Sequence, residues 1–404
     1  MIYDGNCRLG DLFTNRREKG RAGLPTLSVT LNDGLVNRED LDRKQETSLA
    51  PEEHLLVKPG DIAYNMMRMW QGAFGLAELE GIVSPAYVVL QPKPNVDPRY
   101  LSYLLKSPRI RYLLWAYSYG LTEDRLRLYF QDFSRIPVTV PPKPIQERSA
   151  EILSTWDAAI SKAARIRDLT ANQNTALIKD LILGRKRVCG EFGEWQMHHL
   201  GKIATVIVSS VDKEKNDGEI PVSLCNYTHV YYRRNLVSPM SFDCGFATAS
   251  EISRFRLIKG DVVITKDSED PCDIGIAAYV ADAIPNLVCG YHLAIIRPDP
   301  SAVEGAYLSC LFDQHSVRKH FSMQANGVTR FGLPLKAIQE LPVLLPTVEE
   351  QRRISNIVLD LHQNYERLVL VVEKLTSERV AIASRLLSQK ANSSDNIVGA
   401  WSAL

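Results

Sequence analysis

Apolar and polar positions run through the same order twice along this chain. Each round opens on a leucine-glycine pair, Leu9-Gly10 and Leu200-Gly201, and goes on to a β-like run, LPTLSVT at 24–30 and IPVSLCN at 220–226. A hydrophobic-Lys-Gly-Asp segment follows, LVKPGDIAYN at 56–65 and LIKGDVVITK at 257–266. Gly-Asp suits a tight turn, and DIAY and DVVIT then read as strands. A further strand, AYVVLQP or HLAIIRP, stops at Pro92 or Pro298. A helix around YLSYLL (100–105) or YLSCLF (307–312) comes next, and then a strand ending in proline, IPVTVPP or LPVLLP. The matches are literal in places. IPVTVPPKPIQERSAEI at 136–152 returns as LPVLLPTVEEQRRISNI at 341–357, and Gly120-Leu121-Thr122 returns as Gly327-Val328-Thr329. A repeat of about half the chain is too long for a solenoid, so it reads as a duplicated mixed α/β domain of about 140–150 residues.

After each prolyl stop the period changes to that of a long helix. Near 347, Val358, Leu361, Tyr365, Leu368, Val372, Leu375 and Ile382 advance by threes and fours, interrupted by Arg379, as in a heptad seam. The helix after 143 offers Leu153, Trp156, Ile160, Ala163, Leu177 and Leu181. Arg167, Thr170 and Asn174 break its register: either its middle is solvated or partner-facing, or Ile166 and Leu169 shift the stripe. Pro144 can start the first helix, and Thr347 with Glu350 fits a capping box. Gly184 followed by Arg185, Lys186 and Arg187 ends the first helix with a stop residue and cations at the negative end of the dipole. Each helix, of roughly 38 residues, is about 57 Å long. Neither hides its stripe alone, so the two are expected to pack antiparallel. The expected architecture is two similar mixed α/β domains in pseudo-twofold arrangement, at 1–142 and 195–346. They are separated by antiparallel coiled-coil helices at 143–187 and 347–390, with a flexible tail at 391–404.

Composition narrows the function classes. Hydrophobic residues at 45% and charged residues at 24% are ordinary for a globular protein, and no stretch approaches 18 consecutive apolar residues. The start, MIYDGNCRLGD, does not look like a signal peptide. Seven scattered cysteines without a CxxC read as free thiols in a reducing cytoplasm. The net charge of +1 argues against bulk electrostatic binding to nucleic acid and leaves local patches. No GxxxxGK[ST], Asn-Pro-Pro-aromatic or GxGxxG motif is present, so no nucleotide cradle or amino-methyltransferase site is visible. The segment from Asp261 to Lys266 faintly resembles a nuclease strand, but Ile264 stands where a second acid is needed, and a buried strand is the better reading. His198 and His199 point apart, and Cys310, His315 and His320 scatter around a helix, so no metal site is expected.

Local charge is more telling. No acid lies between Gln314 and Gln339, while Arg318, Lys319, Arg330 and Lys336 do. The matching stretch of the first copy holds Lys106, Arg109, Arg111, Arg125 and Arg127 against Glu123 and Asp124, interleaved with Tyr112, Trp115, Tyr117 and Tyr119. A cationic position used twice suggests a phosphate-tracking face. Candidates for reading base edges from polar loops are Asn32, Asn65, Arg68 and Gln71 in the first copy, and Asn226, Tyr227, Arg233, Arg234, Lys266 and Ser268 in the second. Trp70 and Phe74 read as core.

PPKPIQERSAEIL at 141–153 and LPTVEEQRRISNIV at 345–358 resemble the helix-entry signature of the DNA-specificity subunits of type I restriction–modification systems. NMMRMWQGAFG (65–75) with GIVSPAYVVL (81–90), and ANGVTRFGLP (325–334), are similar to further segments of that family. The last adds Thr329 beside Arg330 to the candidate contacts, and GLTEDRLRL replaces it in the first copy. The resemblance covers nearly the whole chain. It implies a non-catalytic subunit with two target-recognition domains, each reading one half of a split double-stranded DNA target, and helices that carry two methyltransferase subunits and restriction (translocase) subunits. It also implies no cofactor on this chain, with S-adenosylmethionine and ATP with Mg on the partners. A coiled-coil assembly scaffold whose heads bind protein is the competing reading.

Overall fold

A computed structural model describes residues 5–41, 49–122, 125–188 and 193–388; the side chains of Gly5 and Asn6, Cys189, the Glu123–Asp124 pair and the tail expected at 391–404 lie outside the described parts. The chain packs as two compact units, one formed by residues 1–164 with 370–404, the other by 165–369.

In the first unit a four-stranded antiparallel sheet runs in the order Phe13–Arg16, Tyr87–Pro92, Ile62–Asn65, Phe74–Leu76, with Phe13 opposite Pro92, and Ile62 opposite both Leu90 and Leu76. Its strands read as apolar runs because both faces are covered. Phe13, Ile62, Tyr64, Phe74, Val88 and Leu90 join Tyr100, Leu101 and Leu104 of the helix Pro98–Lys106 in one core. Ala63 and Val89 face a second cluster with Leu27, Val57 and Val83, contributed by the small ladders Leu27–Val29/Leu35–Asn37 and Leu55–Val57/Gly81–Val83. The strand Gly5–Arg8 closes the unit on Pro137–Val140.

The second unit repeats this plan and extends it. Ala204–Val208, Leu293–Pro298, Val262–Thr265 and Ala277–Val280 form the corresponding antiparallel order, to which Asn235–Leu236 adds a parallel edge. Gln196–His199 pairs with Pro342–Leu345 as Gly5–Arg8 does with Pro137–Val140. A three-stranded sheet of Asp243–Ala247, Ile220–Cys225 and Leu287–Cys289 covers one face, and the helices Gly305–Phe312 and His315–Gln324 cover the other. Val262–Thr265 is buried throughout, as the strand reading of this segment requires.

The Gly-Asp turns are the same object in both units. Gly60 and Gly260 take φ of +89° and +101°, a region open to glycine at little cost. Each following aspartate folds back on its own turn: Asp61 accepts from the Lys58 N–H and Asp261 from the Ile258 N–H, both at 2.9 Å. Both carboxylates are buried and each is neutralised, but from different strands. Arg16 Nε reaches Asp61 at 2.7 Å from Phe13–Arg16, whereas Arg297 reaches Asp261 at 2.8–2.9 Å from Leu293–Pro298.

The long helices span Lys143–Ile182 and Val348–Leu387. Each is 40 residues, or about 60 Å, and each contributes one part to either unit. Within the first unit Asp157 meets Arg379 at 2.9 Å; within the second, Asn174 Nδ2 donates to the Leu361 carbonyl at 3.0 Å while Leu177, Leu181 and Ile182 share a core with Ile354 and Val358. In each unit, residues later in one helix meet residues earlier in the other, so the helix segments run antiparallel there. The seam positions of the second helix are its less exposed ones. The first helix keeps its register through the polar interruption: Asn174 is buried, Arg167 and Thr170 are half-buried, and Ile166 and Leu169 stay exposed.

Each long helix starts at a buried glutamine. Gln146 accepts from the Asp97 N–H at 3.0 Å and donates to the Pro141 carbonyl at 2.7 Å; Gln351 accepts from the Glu304 N–H at 2.8 Å and donates to the Pro346 and Ala302 carbonyls. The capping box expected at Thr347 is half built. Thr347 Oγ1 accepts from the Glu350 N–H, but the Glu350 carboxylate is clamped by Arg187 at 2.6 and 2.7 Å instead of reaching back. An arginine supplies more charge to a buried carboxylate than one backbone N–H does. Among the described residues no helix is long and apolar enough to cross a membrane, and no cluster of His, Cys, Asp and Glu could hold a metal.

Candidate nucleic-acid interface

In both units the strand after the Gly-Asp turn runs out into a polar loop, and a second, closed loop packs beside it. In the second unit Lys266 follows the buried strand, and Asp267–Ser268 then pairs with Phe331–Gly332, which turns back on Asn326–Gly327. In the first unit the Leu128 N–H donates to the Met66 carbonyl, as the Leu333 N–H does to Lys266, and Tyr119 and Arg127 close the loop with two backbone hydrogen bonds of 2.9 and 2.7 Å.

The glycine at each loop entry has no room for a side chain. A Cβ on Gly120 would lie 2.6 Å from the Arg125 carbonyl oxygen, and one on Gly327 would lie 2.0 Å from that of Arg330. Arg125 and Arg330 are therefore structural equivalents, although the first loop is two residues longer, and both are exposed. So are Thr329 and Lys319.

Around the second loop the structure gathers several of the candidate residues. Lys266 Nζ holds both Asp267 oxygens at 2.7 Å, and the Tyr227 hydroxyl lies 3.3 Å from the Ser268 hydroxyl. His292, not singled out in the sequence, joins them: Arg330 Nη2 sits 2.6–2.7 Å from its ring nitrogens and Asp267 lies 3.5 Å away. Burial, and then the Arg330 charge, hold this imidazole below its ordinary pKa, so the neutral ring leaves Arg330 as the outward-facing cation. Tyr227 stacks on Tyr231, with exposed Tyr232 against its edge.

The first unit offers a more open and more cationic surface. Trp70, Lys106, Arg111, Tyr112 and Trp115 line one shallow groove. Phe74 is buried as expected, but Trp70 is half-buried: its indole N–H donates to the Met67 carbonyl at 3.1 Å and its ring faces the groove. Arg68, Lys106, Arg109, Arg125 and Arg127 are exposed and make no ion pair with a described residue.

Other candidates already have work inside the fold. Arg111 donates to the Gln71 carbonyl at 3.1 Å and Arg318 to the Cys272 carbonyl at 2.6 Å, so each pins the short turn beyond the buried strand. Asn65 accepts from the Met67 N–H, and Asn226 caps Tyr227–Tyr231 while donating to Asp243. Arg234 pairs with Asp313 at 2.6 Å in a groove lined by Val358, His362 and Tyr365 of the second long helix, on the side of that helix and apart from the Lys266 cluster. Arg233 is exposed beside it, and Asn32 is exposed at the turn of the Leu27–Val29/Leu35–Asn37 ladder. Sequence spacing missed His292 because it belongs to the cluster only through strand pairing: Ile264 opposes Ala294 and Thr265 opposes Leu293, which sets His292 beside Lys266.

Three comparisons bear on this arrangement. Residues 12–171 match the family described as the type I restriction modification DNA specificity domain. The putative type I restriction enzyme MjaX specificity subunit of Methanocaldococcus jannaschii is 22% identical over 209 residues, 51% of this chain and 48% of that one, so the chain aligns with about half the length of this curated relative. Among solved structures, the HsdS subunit from Thermoanaerobacter tengcongensis superposes with a TM-score of 0.53 at 16% identity, covering 95% of this chain and 96% of that one. The type I restriction-modification S subunit from M. genitalium superposes with a TM-score of 0.54 at 16% identity, covering 96% and 97%. These likenesses show the fold: mixed α/β domains with long helices.

Proposed function

We propose that this chain belongs with the type I restriction–modification specificity subunits, a reading supported by the match of residues 12–171 to the DNA specificity domain, and that it is the non-catalytic subunit that selects a bipartite double-stranded DNA target for such a complex. The observation that carries this reading is the repeated loop. Two units of one plan each present an exposed arginine, Arg125 or Arg330, from a loop closed over a glycine. A split target asks for two related heads of this kind. The exposed cations Arg68, Arg109, Arg127, Arg233 and Lys319 suit phosphates, and Lys266, Ser268, Tyr227 and Thr329 suit base edges. Arg111, Arg318, Asn65 and Asn226 hold the loops that do the reading. The long helices carry two methyltransferase subunits and the restriction subunits, which bring S-adenosylmethionine, ATP and Mg, and the complex works in the cytoplasm.

Supplying the chain together with the methyltransferase of its own locus to a methylation-free host, and mapping modified bases by long-read sequencing, tests this. A split methylated sequence that vanishes without the chain is the expected result. Failure to shift any duplex, alone or with the methyltransferase, while a protein partner still binds would favour the protein-scaffold alternative.

A further inference from the structure

One helix of the first unit shows aromatic rings to solvent where its counterpart in the second shows polar groups. Pro108–Ala116 and His315–Gln324 are equivalent, since Arg111 and Arg318 each donate to a carbonyl of the short turn beyond the buried strand. Aligning those arginines sets Tyr112 opposite Lys319 and Trp115 opposite Ser322. Aligning the turn carbonyls of Gln71 and Cys272 sets Trp70 opposite Pro271. The second unit therefore builds this face without an aromatic residue. In the first, Tyr112 is 63% exposed and Trp115 43%. Their ring centroids lie 5.8 Å apart with a tilt of 38°, and ring faces stay open to solvent. Packing does not need them there, because Ile110 and Leu114 carry the buried side of the helix. An exposed aromatic patch that the sister domain lacks marks a contact surface.

The charges around the rings say what they meet. With Trp70 they line one groove, whose other described walls are Lys106, Pro108 and Arg111. It carries two cations and, among its described residues, no acid. Lys106 is exposed and makes no ion pair with a described residue. Arg111 spends one N–H on the neutral Gln71 carbonyl, which leaves its charge uncompensated. Neither Pro98–Lys106 nor Pro108–Ala116 contains an acid. The nearest acids along the chain are Asp97, buried as the cap of the first of these helices, and the Glu123–Asp124 pair, outside the described residues. Aromatic faces flanked by cations suit a flat ligand that carries negative charge. A nucleotide is both, with a base for the rings and a phosphate for Lys106 and Arg111. The base must be unpaired, because in a duplex its neighbours cover both of its faces. A protein anchor asks instead for a pocket deep enough to desolvate it fully, and this groove is shallow.

We propose that this groove of the first unit holds a short run of unpaired nucleotides of a DNA strand, with bases stacked on Tyr112, Trp115 and the Trp70 ring and phosphates at Lys106 and Arg111. The contact is additional to duplex selection and does not depend on it. Stacking accepts any base, so the groove adds affinity for an opened strand without reading its sequence. The two heads differ in kind at this face: the second, with Pro271, Lys319 and Ser322 there, has no ring to stack on.

The test uses the full-length chain and a fluorescein-labelled oligo(dT) of about 12 nucleotides, which cannot pair with itself. The wild type is expected to raise the anisotropy of the label and to lose tryptophan emission as bases stack on Trp70 and Trp115. Tyr112→Ala and Trp115→Ala should each weaken binding about tenfold, with Trp115→Phe close to wild type. Lys106→Gln should lower the salt slope of binding by about 0.7, the single-strand value for one phosphate contact. The phenylalanine and glutamine variants keep the test decisive if an alanine variant fails to fold. A wild type that does not bind oligo(dT) overturns the proposal, and so do folded alanine variants that keep wild-type affinity. Thymidine monophosphate that displaces the oligomer at equal nucleotide concentration overturns a strand as the occupant. An acidic proline-rich peptide that quenches the same tryptophans where oligo(dT) does not overturns it in favour of a protein contact. A chain that grips oligo(dT) through these rings yet selects no duplex upholds this site and overturns the duplex reading above.

Discussion

Gln146 and Gln351 carry no exposed surface, and each ties the start of a long helix to the chain entering a shorter one. Replacing either with leucine keeps the volume and orphans a buried N–H and a carbonyl, so each variant should lose about 1–3 kcal/mol per abandoned group. The loss is read as faster hydrogen exchange in the unit concerned. The buried aspartates make a sharper case. Arg16→Met leaves Asp61 charged and without its cation, and about 3–5 kcal/mol should go; adding Asp61→Asn should restore much of it. His362 gives a pH signature. Burial, reinforced by the Arg234 guanidinium, pushes its imidazole down to about 4 from the usual 6.5. Asp313, Tyr365 and Glu366 line the same groove. The folded value lies below the unfolded one, so the unfolded chain takes up the proton first as the solution is acidified. The stability His362 contributes is complete above about pH 6.5 and is lost towards pH 4. His362→Asn should flatten that part of the stability profile, measured by urea melts across this window.

Among the elements, the second long helix was readable from its spacing because every seam position but Arg379 is apolar. The first was not. Asn174 buries its amide by donating to a helix carbonyl, and Asp157 is held by Arg379 and the Tyr103 hydroxyl. A polar residue on a buried face looks like a register break until its partner is known. The same limit applied to the loops. The duplication marked the Gly120 and Gly327 tips correctly, but which loop side chains are free to meet a ligand depends on caps and turns: Asn65 and Asn226 are used up locally, and Arg234 is drawn to Asp313. Two helix tests follow. Leu368→Asp with Leu375→Asp places charges on the half-buried seam and should cost several kcal/mol, on the order of 2–4 in total, seen as a lower melting temperature. Ile166→Lys with Leu169→Lys, on the exposed face, should leave melting within about 0.5 kcal/mol of wild type.

For the whole molecule, the repeated plan predicts modular reading. Exchanging residues 195–346 for the corresponding domain of a related subunit should change one half of the methylated sequence and leave the other half and the spacing alone. Base-resolution methylation maps decide it, and altered bases in both halves would show that the heads do not read independently.

The composition of the units also fixes an order of events during synthesis. Residues 165–369 are one uninterrupted stretch, so the second unit has all its parts as soon as Val369 leaves the ribosome. The first unit waits. Its sheet and short helices are made early, yet the helical segment that carries Arg379 and Leu387 against them is translated last. At about 5–20 residues per second, the groove lined by Tyr103, Leu104 and Ile110 stays open for on the order of 15–50 s after those residues emerge. The first unit is therefore the later of the two to be completed. A nascent chain arrested when Val369 has just left the ribosome should carry a protease-resistant second unit and a first unit that is still cut.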